Sequence, residues 1–435
     1  MPLPPHTDAA FAEAEPPSAR RRSANRTWWI VAALVLGFVA GMVLHRTSYA
    51  HSAGSIAGQL GSIWLNALLM TLVPLIFCLM TNGAASIAAM RGSGRFVATT
   101  FSIFAILLVL GCCIGAFAAI VLLHLWPIAA IPASSLSFAA APVAANPPSL
   151  LGQIVALIPS NPVQAAAETA MSPLIVFAAI FGAAITRLDD RWRTLLTSFF
   201  QAIAAAMLVI VEWVLWWAPA GVFCLALNAT ASAGTAVARG VVQYMLELTA
   251  VLIMALLCAG IIGVGSGFGV PRFLRALIAP LTLAASTQSS MACLPPLILA
   301  GDELGVPAPI VRSIMPLTVS LFRFGNVAAS ISAGLIGAAL FGVHPSVQRI
   351  IVACGLGILI NFGIVGVPGQ ALLFAAYGPV FLALGTPIEA ISLLIAVFTI
   401  PDIFNTSTNV TADLAATALI TTISGKRAKP VLETV

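Results

Sequence analysis

The feature that most limits how this chain can fold is a long stretch without charge. No Lys, Arg, Asp or Glu occurs between Arg95 and Glu168. A soluble domain covers its surface with charged side chains, at about a quarter of its residues. Here only 8% of 435 residues are charged, 60% are hydrophobic, and the mean hydropathy is +1.07. Because a helix of about 20 apolar residues crosses a bilayer, we expect an all-α polytopic membrane protein. This composition excludes a soluble enzyme, a secreted disulfide-stabilised domain and a nucleic-acid-binding protein.

Apolar runs bounded by charged residues, or by Pro and Gly, predict eight transmembrane helices. The first follows a disordered cytoplasmic tail, residues 1–27, and begins at Trp28 and Trp29. A secretory signal peptide is the alternative, but its apolar core is usually about 7–15 residues long, and this run continues to Leu44. The other predicted spans are 58–88, 96–125, 152–187, 194–226, 238–266, 308–342 and 387–423.

Two further uncharged stretches are interrupted, and the halves of each are too short to cross about 30 Å of hydrocarbon. The stretch 276–301 contains the polar run Ser286–Ser290, and the stretch 350–388 contains the helix-breaking run Gly366–Gly369. Non-helical backbone at membrane depth is tolerated only where protein or a water-lined cavity surrounds it. Two broken segments flanking a full span therefore predict re-entrant hairpins and a transporter site built on inverted repeats. A pair of kinked ordinary spans is the alternative.

The distribution of basic residues predicts the orientation in the membrane. Eight spans and two hairpins place both termini in the cytoplasm. Of the 19 Lys and Arg residues, this topology leaves Arg46, Arg239 and Arg349 outside and Arg323 within a span. The remainder lie on the cytoplasmic side, as the positive-inside rule requires. We therefore expect an integral protein of the plasma (inner) membrane. The cysteines and histidines show no metal-ligand spacing, so no cofactor is expected.

The last span contains a row of polar residues. At about 100° per residue, Asp402, Thr406, Asn409 and Asp413 lie within roughly 60° of one another on a single helix face. Ionisable residues within spans are costly and by default functional. Two acids and an amide in line suit a cation or an ammonium group, because hard cations take oxygen ligands. A structural polar seam between helices is the alternative.

The seventh span contains a lone arginine, Arg323, between Phe322 and Phe324. Such a group needs a carboxylate, which is Asp402, Asp413 or that of a bound substrate, because guanidinium grips carboxylate with two parallel hydrogen bonds. A purely structural ion pair with one of the two aspartates is an equal alternative.

Two other classes of function fit the sequence poorly. An intramembrane serine protease would need a base to activate Ser289 or Ser290, and no histidine lies within a neighbouring span. We therefore do not expect an enzyme. A passive channel is disfavoured because the polar groups cluster at one site instead of lining a path.

Several short motifs occur in a fixed order along the chain. They are IPSNP at 158–162 with LIVFA at 174–178, APAGVF at 218–223, SSMACLP at 289–295, GVPG at 366–369 and NVTADL at 409–414. With these motifs the chain resembles the dicarboxylate/amino acid:cation symporters, the glutamate-transporter family, over nearly everything after residue 28. The resemblance implies an elevator-type secondary transporter in the lipid bilayer, usually a homotrimer. Its solute would be a small amino acid or dicarboxylate, and its coupling ion Na⁺ or H⁺.

The resemblance also implies a division of the chain into two domains and two tails. A scaffold and trimerisation domain would comprise 28–94 and 128–236. A transport domain would comprise 95–127 and 237–424, with hairpins near 272–303 and 347–384. Residues 425–435 would form a second cytoplasmic tail.

The same resemblance implies where solute and ion bind. The family's amine-holding aspartate matches Asp402, its neighbouring threonine Thr406, its substrate-contacting asparagine Asn409 and a sodium-ligating aspartate Asp413. The expected substrate contacts are Ser289, Ser290, Arg323, Asn326, Gly366, Val367, Pro368, Gly369, Asp402, Asn405, Thr406 and Asn409. A single Na⁺ site would use Asn409, Asp413 and the backbone carbonyls of Thr318 and Phe322.

The sequence departs from the family at positions that govern coupling and selectivity. The sodium motif Asn-Met-Asp-Gly-Thr is replaced by Phe-Arg-Phe-Gly-Asn at 322–326, so phenyl rings replace two side chains that carry oxygen. The arginine that pairs with an acidic substrate side chain is Asn405, and an upstream aspartate is Phe398. We therefore expect a cation-coupled symporter that prefers neutral or amide amino acids. The alternative is a sodium-independent exchanger or facilitator in which Arg323 replaces a bound sodium.

Overall fold

In the computed structural model of the chain, all described secondary structure is helical. The structure describes residues 17–89, 94–131, 155, 157–363, 371–387, 394 and 397–424. In chain order the helices are α1 (Pro17–His45), α2 (Ala50–Ala89), α3 (Gly94–Leu125), α4 (Pro162–Ala167), α5 (Met171–Ile185), α6 (Asp190–Trp216), α7 (Ala218–Ala233), α8 (Thr235–Gly265), α9 (Val270–Thr287), α10 (Leu294–Leu304), α11 (Ala308–Leu321), α12 (Phe324–Leu340), α13 (Val347–Gly363), α14 (Ala371–Leu384) and α15 (Thr399–Ile423).

Five described segments are long and apolar enough to cross a bilayer. They are Ala50–Ala85, Ala98–Leu125, Asp190–Trp216, Thr235–Gly265 and Ala308–Leu340. Four shorter apolar helices accompany them, at Trp29–His45, Met171–Ile185, Ala218–Ser232 and Val347–Asn361. The expected all-helical protein with several apolar helices is thereby confirmed, whereas the count of eight spans with two hairpins stays a prediction.

Three of the spans predicted as single helices are divided: 308–342, described with the site below, and the two that follow here. In the described part of 152–187, α4 and α5 are separated at Thr169, whose φ of 55° lies in the left-handed region and ends the helical path. The span predicted at 194–226 is shared between α6 and α7, which meet beside Pro219. Proline disrupts a helix interior but suits the first turn of a new helix.

The predicted tails correspond only partly to described structure. α1 begins at Pro17, within the tail predicted as disordered at 1–27. The alanines and arginines of that segment are good helix formers, which accounts for the extension. The second tail, 425–435, and the second hairpin tip, Gly366–Gly369, lie outside the described residues.

The helices form two groups by their packing. α2 and α7 are the centre of the first group, which α1, α5 and α6 complete. The second group consists of α3 and α8–α15, and its centre is α12 together with α15, which are buried along almost their whole length. Small residues allow α3 to lie close to α12. A Cβ added at Gly115 would be 2.5 Å from the Ala328 carbonyl oxygen.

The helix pairs α9/α10 and α13/α14 share one contact: an arginine at the start of the first helix packs on a glycine just after the second helix. Arg272, in the first turn of α9, donates from Nε to the Glu303 carbonyl oxygen at 3.0 Å, and its guanidinium covers Gly305, where φ is 86°. Arg349, in the first turn of α13, covers Gly385, where φ is 80°. Only glycine adopts that backbone conformation readily while leaving room for the arginine. The two helix pairs share this arrangement, and the inverted repeats stay a prediction.

Candidate functional site

The polar row predicted in the last span lies on α15, which packs against α8, α9, α11 and α12. Thr406, Asn409 and Asp413 are buried, and Asp402 is half-buried in the first turn. Hydroxyl groups elsewhere on the helix bond to its own backbone, for example Ser407 Oγ to the Ile403 carbonyl oxygen at 2.7 Å. A helix with this many buried polar groups is stable only where such partners exist.

The seventh span, predicted as one helix at 308–342, is broken in its middle. α11 ends at Leu321, Phe322 is extended (φ −111°, ψ 106°), and α12 begins at Phe324. The first backbone N–H groups of a helix have no partner within it. Here Asn409 of α15 supplies one, since its Oδ1 accepts from the Gly325 N–H at 2.8 Å and lies 3.4 Å from the Asn326 nitrogen. A side chain from another helix therefore caps the second half of the span.

A chain of amide hydrogen bonds joins the two helices at this break. Asn326 Oδ1 accepts from Asn405 Nδ2 at 2.8 Å and from Asn409 Nδ2 at 3.1 Å. Asn405 Nδ2 also donates to Asp402 Oδ1 at 3.0 Å. The contact requires Gly325, because a Cβ there would be 2.6 Å from the Asn405 carbonyl oxygen. The network fixes the orientation of three amides and leaves the buried Asn405 Oδ1 without a described partner.

The buried charges lie beside this network but are not paired directly. Arg323 is 7% exposed, and its Nε has no hydrogen-bond partner among the described residues. Asp413 is fully buried, and neither of its carboxylate oxygens has a described partner. The Arg323 guanidinium interacts electrostatically with Asp413 and then Asp402, yet neither carboxylate lies within 4.0 Å of it. The direct ion pair that the sequence suggested is therefore not formed in this conformation.

Aromatic rings occupy the positions where the resemblance places sodium ligands. Phe322 stacks on Phe104 of α3 with ring centroids 5.0 Å apart, and Phe324 lies 6.4 Å from Phe322. All three rings are buried. A phenyl ring offers a dispersion contact but no oxygen ligand. The interface between α3 and the broken span is consequently apolar at this level.

The residues expected to form a Na⁺ site fit that role only in part. Asn409 Oδ1 is occupied by backbone N–H groups, and the Thr318 carbonyl oxygen accepts from the Phe322 N–H at 2.8 Å. The two carboxylate oxygens of Asp413 have no described partner. Sodium takes several oxygen ligands, so this donor set suits a single charge or a proton better than a complete sodium shell. Within the described residues there is no cluster of three or more His, Cys, Asp or Glu side chains.

The tip of the first helix pair reaches the start of α15. Gln288 takes a left-handed conformation (φ 52°), and its Nε2 donates to the Thr399 carbonyl oxygen at 3.1 Å. Ser290 is buried and Ser289 half-buried. This contact brings the predicted serines to the end of α15 on which Asp402 lies.

Two residues of this region were not foreseen from the sequence. Gln288 forms the contact just described, and Tyr377 of α14 is buried with no described partner for its hydroxyl. Tyr377 packs edge-on against Phe398, with centroids 5.4 Å apart, and interacts electrostatically with Asp402. The chain has only three tyrosines, and that scarcity is the one signal that could have drawn attention to it.

The structure brings most of the predicted site together. One hydrogen-bond network joins Asn326 of the broken span to Asp402, Asn405 and Asn409 of α15, and Arg323 directly precedes α12. Thr406 and Asp413 continue the α15 face into the interior. The predicted contacts Gly366, Val367, Pro368 and Gly369 lie outside the described residues.

Comparison with known proteins gives one family across nearly the whole chain. The model of the sodium:dicarboxylate symporter family matches residues 27–423. The proton/glutamate-aspartate symporter of Escherichia coli (strain K12) is 27% identical over 403 residues, covering 90% of this chain and 91% of that protein. The proton/sodium-glutamate symport protein of Bacillus caldotenax is 25% identical over 421 residues, 93% of this chain and 96% of that protein. The neutral amino acid transporter B(0) of Rattus norvegicus is 26% identical over 449 residues, 90% of this chain and 79% of that protein.

Proposed function

The chain belongs to the sodium:dicarboxylate symporter family, and we propose that it is a secondary active transporter that moves a small carboxylate-bearing solute with a cation. The observation that carries this proposal is buried charge of both signs at one place: Asp402 accepts from Asn405 of the amide network, and Arg323 interacts electrostatically with Asp413 and Asp402. Buried charge of both signs at the junction of a broken span is expected of a binding site for a charged solute. The similar symporters from Escherichia coli and Bacillus caldotenax support coupling to a proton or sodium.

The proposed solute is an amino acid with a neutral or amide side chain. Asp402 offers a carboxylate for the ammonium group, and its orientation is fixed by Asn405. Arg323 is the guanidinium available for the α-carboxylate. A second carboxylate on the solute would find an amide at Asn405 instead of a cation, and an uncompensated buried charge is costly. The similarity to a neutral amino acid transporter agrees with this choice.

The proposed mechanism is an elevator movement of α3 and α8–α15 against a scaffold of α1, α2 and α4–α7. The separation of the helices into two packing groups supports this division. The proposed assembly is a homotrimer with both termini in the cytoplasm, as the resemblance and the positive-inside rule imply. No enzymatic step is part of the proposal.

An exchanger or facilitator without sodium coupling is the second candidate function. The stacked rings of Phe322, Phe324 and Phe104 and the occupied Asn409 oxygen favour it, because both features remove ligands from a sodium site. In this version the Arg323 guanidinium supplies the positive charge. A tethered charge crosses the membrane in both directions and cannot dissipate a gradient.

The test is uptake by purified protein in liposomes, with Na⁺ and pH gradients imposed separately, against a panel of amino acids and dicarboxylates. We expect concentrative uptake of a neutral or amide amino acid, with a dependence on no more than one cation. Counterflow without accumulation under either gradient would select the exchanger. Absence of both uptake and counterflow for the whole panel would contradict the transport proposal.

A further inference from the structure

A second intramembrane carboxylate lies apart from the site described above. Glu247 is the thirteenth residue of the 31-residue helix α8, about 18 Å along the axis from its first residue. It is 1% exposed. α8 is long and apolar enough to span a bilayer, so this carboxyl group lies at membrane depth.

The hydrogen bonding of Glu247 is incomplete. Its Oε1 accepts from Gln243 Nε2 at 2.8 Å, and its Oε2 is buried without a described partner. The Gln243 amide also donates to the Trp126 carbonyl oxygen at 3.0 Å, just beyond the end of α3. A protonated carboxyl group would gain a donor at Oε2, whereas an ionised one would leave a buried charge unpaired.

Cationic partners for Glu247 are absent from the described hydrogen bonds and ion pairs. The helices packed against α8 are α3, α7, α9, α12 and α15. Their titratable or charged side chains, with Arg323 ahead of α12, are Arg95, Cys112, Cys113, His124, Cys224, Arg272, Arg275, Arg323, Asp402 and Asp413. On α8 itself the others are Arg239, Tyr244 and Cys258, and Tyr244 interacts with Tyr377 of α14. Of those with described side chains, none bonds to Glu247.

The helix of Glu247 is fixed to the helix of the proposed binding site. α8 packs along α15, and Thr408 Oγ1 donates to the Leu252 carbonyl oxygen at 3.3 Å. Any movement of α15 relative to the membrane therefore takes Glu247 with it. Gln243 lies one helical turn before Glu247 on α8. Its amide group links the Glu247 carboxyl group to the Trp126 carbonyl, just beyond the end of α3.

We infer that Glu247 is a proton-binding site that takes up a proton on one side of the membrane and releases it on the other in each transport cycle. The step is a simple equilibrium: the ionised carboxylate binds a proton from water when the facing side is acidic and returns it when the facing side is alkaline. This inference rests on the proposed transport function and assigns its coupling cation.

The test compares the wild type with Glu247→Gln in liposomes that contain a trapped pH dye. Glutamine keeps the shape and polarity of the side chain but cannot bind the proton. We expect wild-type protein to show substrate-linked proton influx and accumulation driven by an acidic exterior. In Glu247→Gln both should fall at least tenfold while solute counterflow persists. The matched control is Glu212→Gln, at an exposed acid near the end of α6, which should behave as the wild type.

The outcomes separate this inference from the transport proposal. Substrate-linked proton influx that is unchanged in Glu247→Gln would overturn the inference. Wild-type uptake that is driven by Na⁺ with no proton movement would also overturn it. In both cases the transport proposal itself would stand. If Glu247→Gln lacks counterflow, Glu247→Asp decides. We expect Glu247→Asp to restore proton influx with a pH midpoint that differs from that of the wild type. An unchanged pH midpoint would contradict a role for the Glu247 carboxyl group.

Discussion

The broken span α11/α12 and the continuous helix α15 are both buried, yet they bring opposite chemistry to their contact. The broken span contributes the Arg323 guanidinium, which suits anions, and the first N–H groups of α12, which Asn409 caps. α15 contributes Asp402 and Asp413, which suit cations. A break exposes backbone donors, whereas an intact helix has none to offer and must rely on its side chains.

This difference would allow one site to bind the zwitterionic solute proposed above. The positive half of the site lies on the broken span and the negative half on α15. Hydrogen bonds among the amides of Asn326, Asn405 and Asn409 fix the two helices relative to each other. Because neither aspartate approaches Arg323 within 4.0 Å, the charges remain available to a solute. Four substitutions test the two halves, in decreasing order of expected effect.

The largest effect is expected from Asp413→Asn. It removes the carboxylate that acts most strongly on Arg323, and the buried guanidinium is then left with less compensating charge, which is costly. Gradient-driven uptake in liposomes should fall to background. The double variant Arg323→Met/Asp413→Asn should recover folding, seen as a monodisperse elution profile, because both charges are then absent. Transport by Asp413→Asn with unchanged ion dependence would contradict any role for this residue in coupling.

Arg323→Met should weaken the positive half alone. We expect solute affinity to fall about 10- to 100-fold, since a hydrogen bond to a charged group contributes about 1.5–3 kcal/mol. Binding to detergent-purified protein measures this directly. If Arg323→Met binds solute with wild-type affinity, the role of Arg323 is purely structural. A steep dependence of wild-type uptake on several sodium ions would refute the view that the guanidinium replaces a bound cation.

Asp402→Ala should weaken the negative half in a manner that depends on the solute. Amino acids should lose affinity by about tenfold or more, because their ammonium group loses its carboxylate. Dicarboxylates without an amine should lose little. Competition binding with one amino acid and with succinate compares the two. Tight succinate binding to the wild type that Asp402→Ala leaves intact would overturn the proposed amino-acid preference.

Asn409→Ala should have the smallest effect, on stability. It removes the cap of α12, and loss of an N-cap costs about 0.5–2 kcal/mol. The melting midpoint of solute-free protein in detergent should fall by a few degrees. Equal melting of Asn409→Ala and the wild type would show that α12 needs no cap from α15.

The sequence predicted the components of the site better than their pairing. Helical periodicity placed Asp402, Asn409 and Asp413 on one face, and all three lie on α15. The break at Phe322 was not predicted, because its flanks are apolar and the cap that stabilises it, Asn409, lies on a different helix. Gln288 was likewise missed, since its partner is a backbone carbonyl far away in the chain.

Composition and spacing by themselves determined that the chain is a helical membrane protein and which residues are costly to bury, and its short motifs carried the resemblance to a family. These properties depend on hydropathy and on local periodicity, which can be read along one chain. Only the tertiary structure decided that Asn409 caps another helix, that Arg323 and Asp413 stay apart, and that Glu247 is isolated from every described cation. Such pairings depend on distances between helices, and a buried polar group has its state set by its neighbours in space, not by its neighbours in sequence.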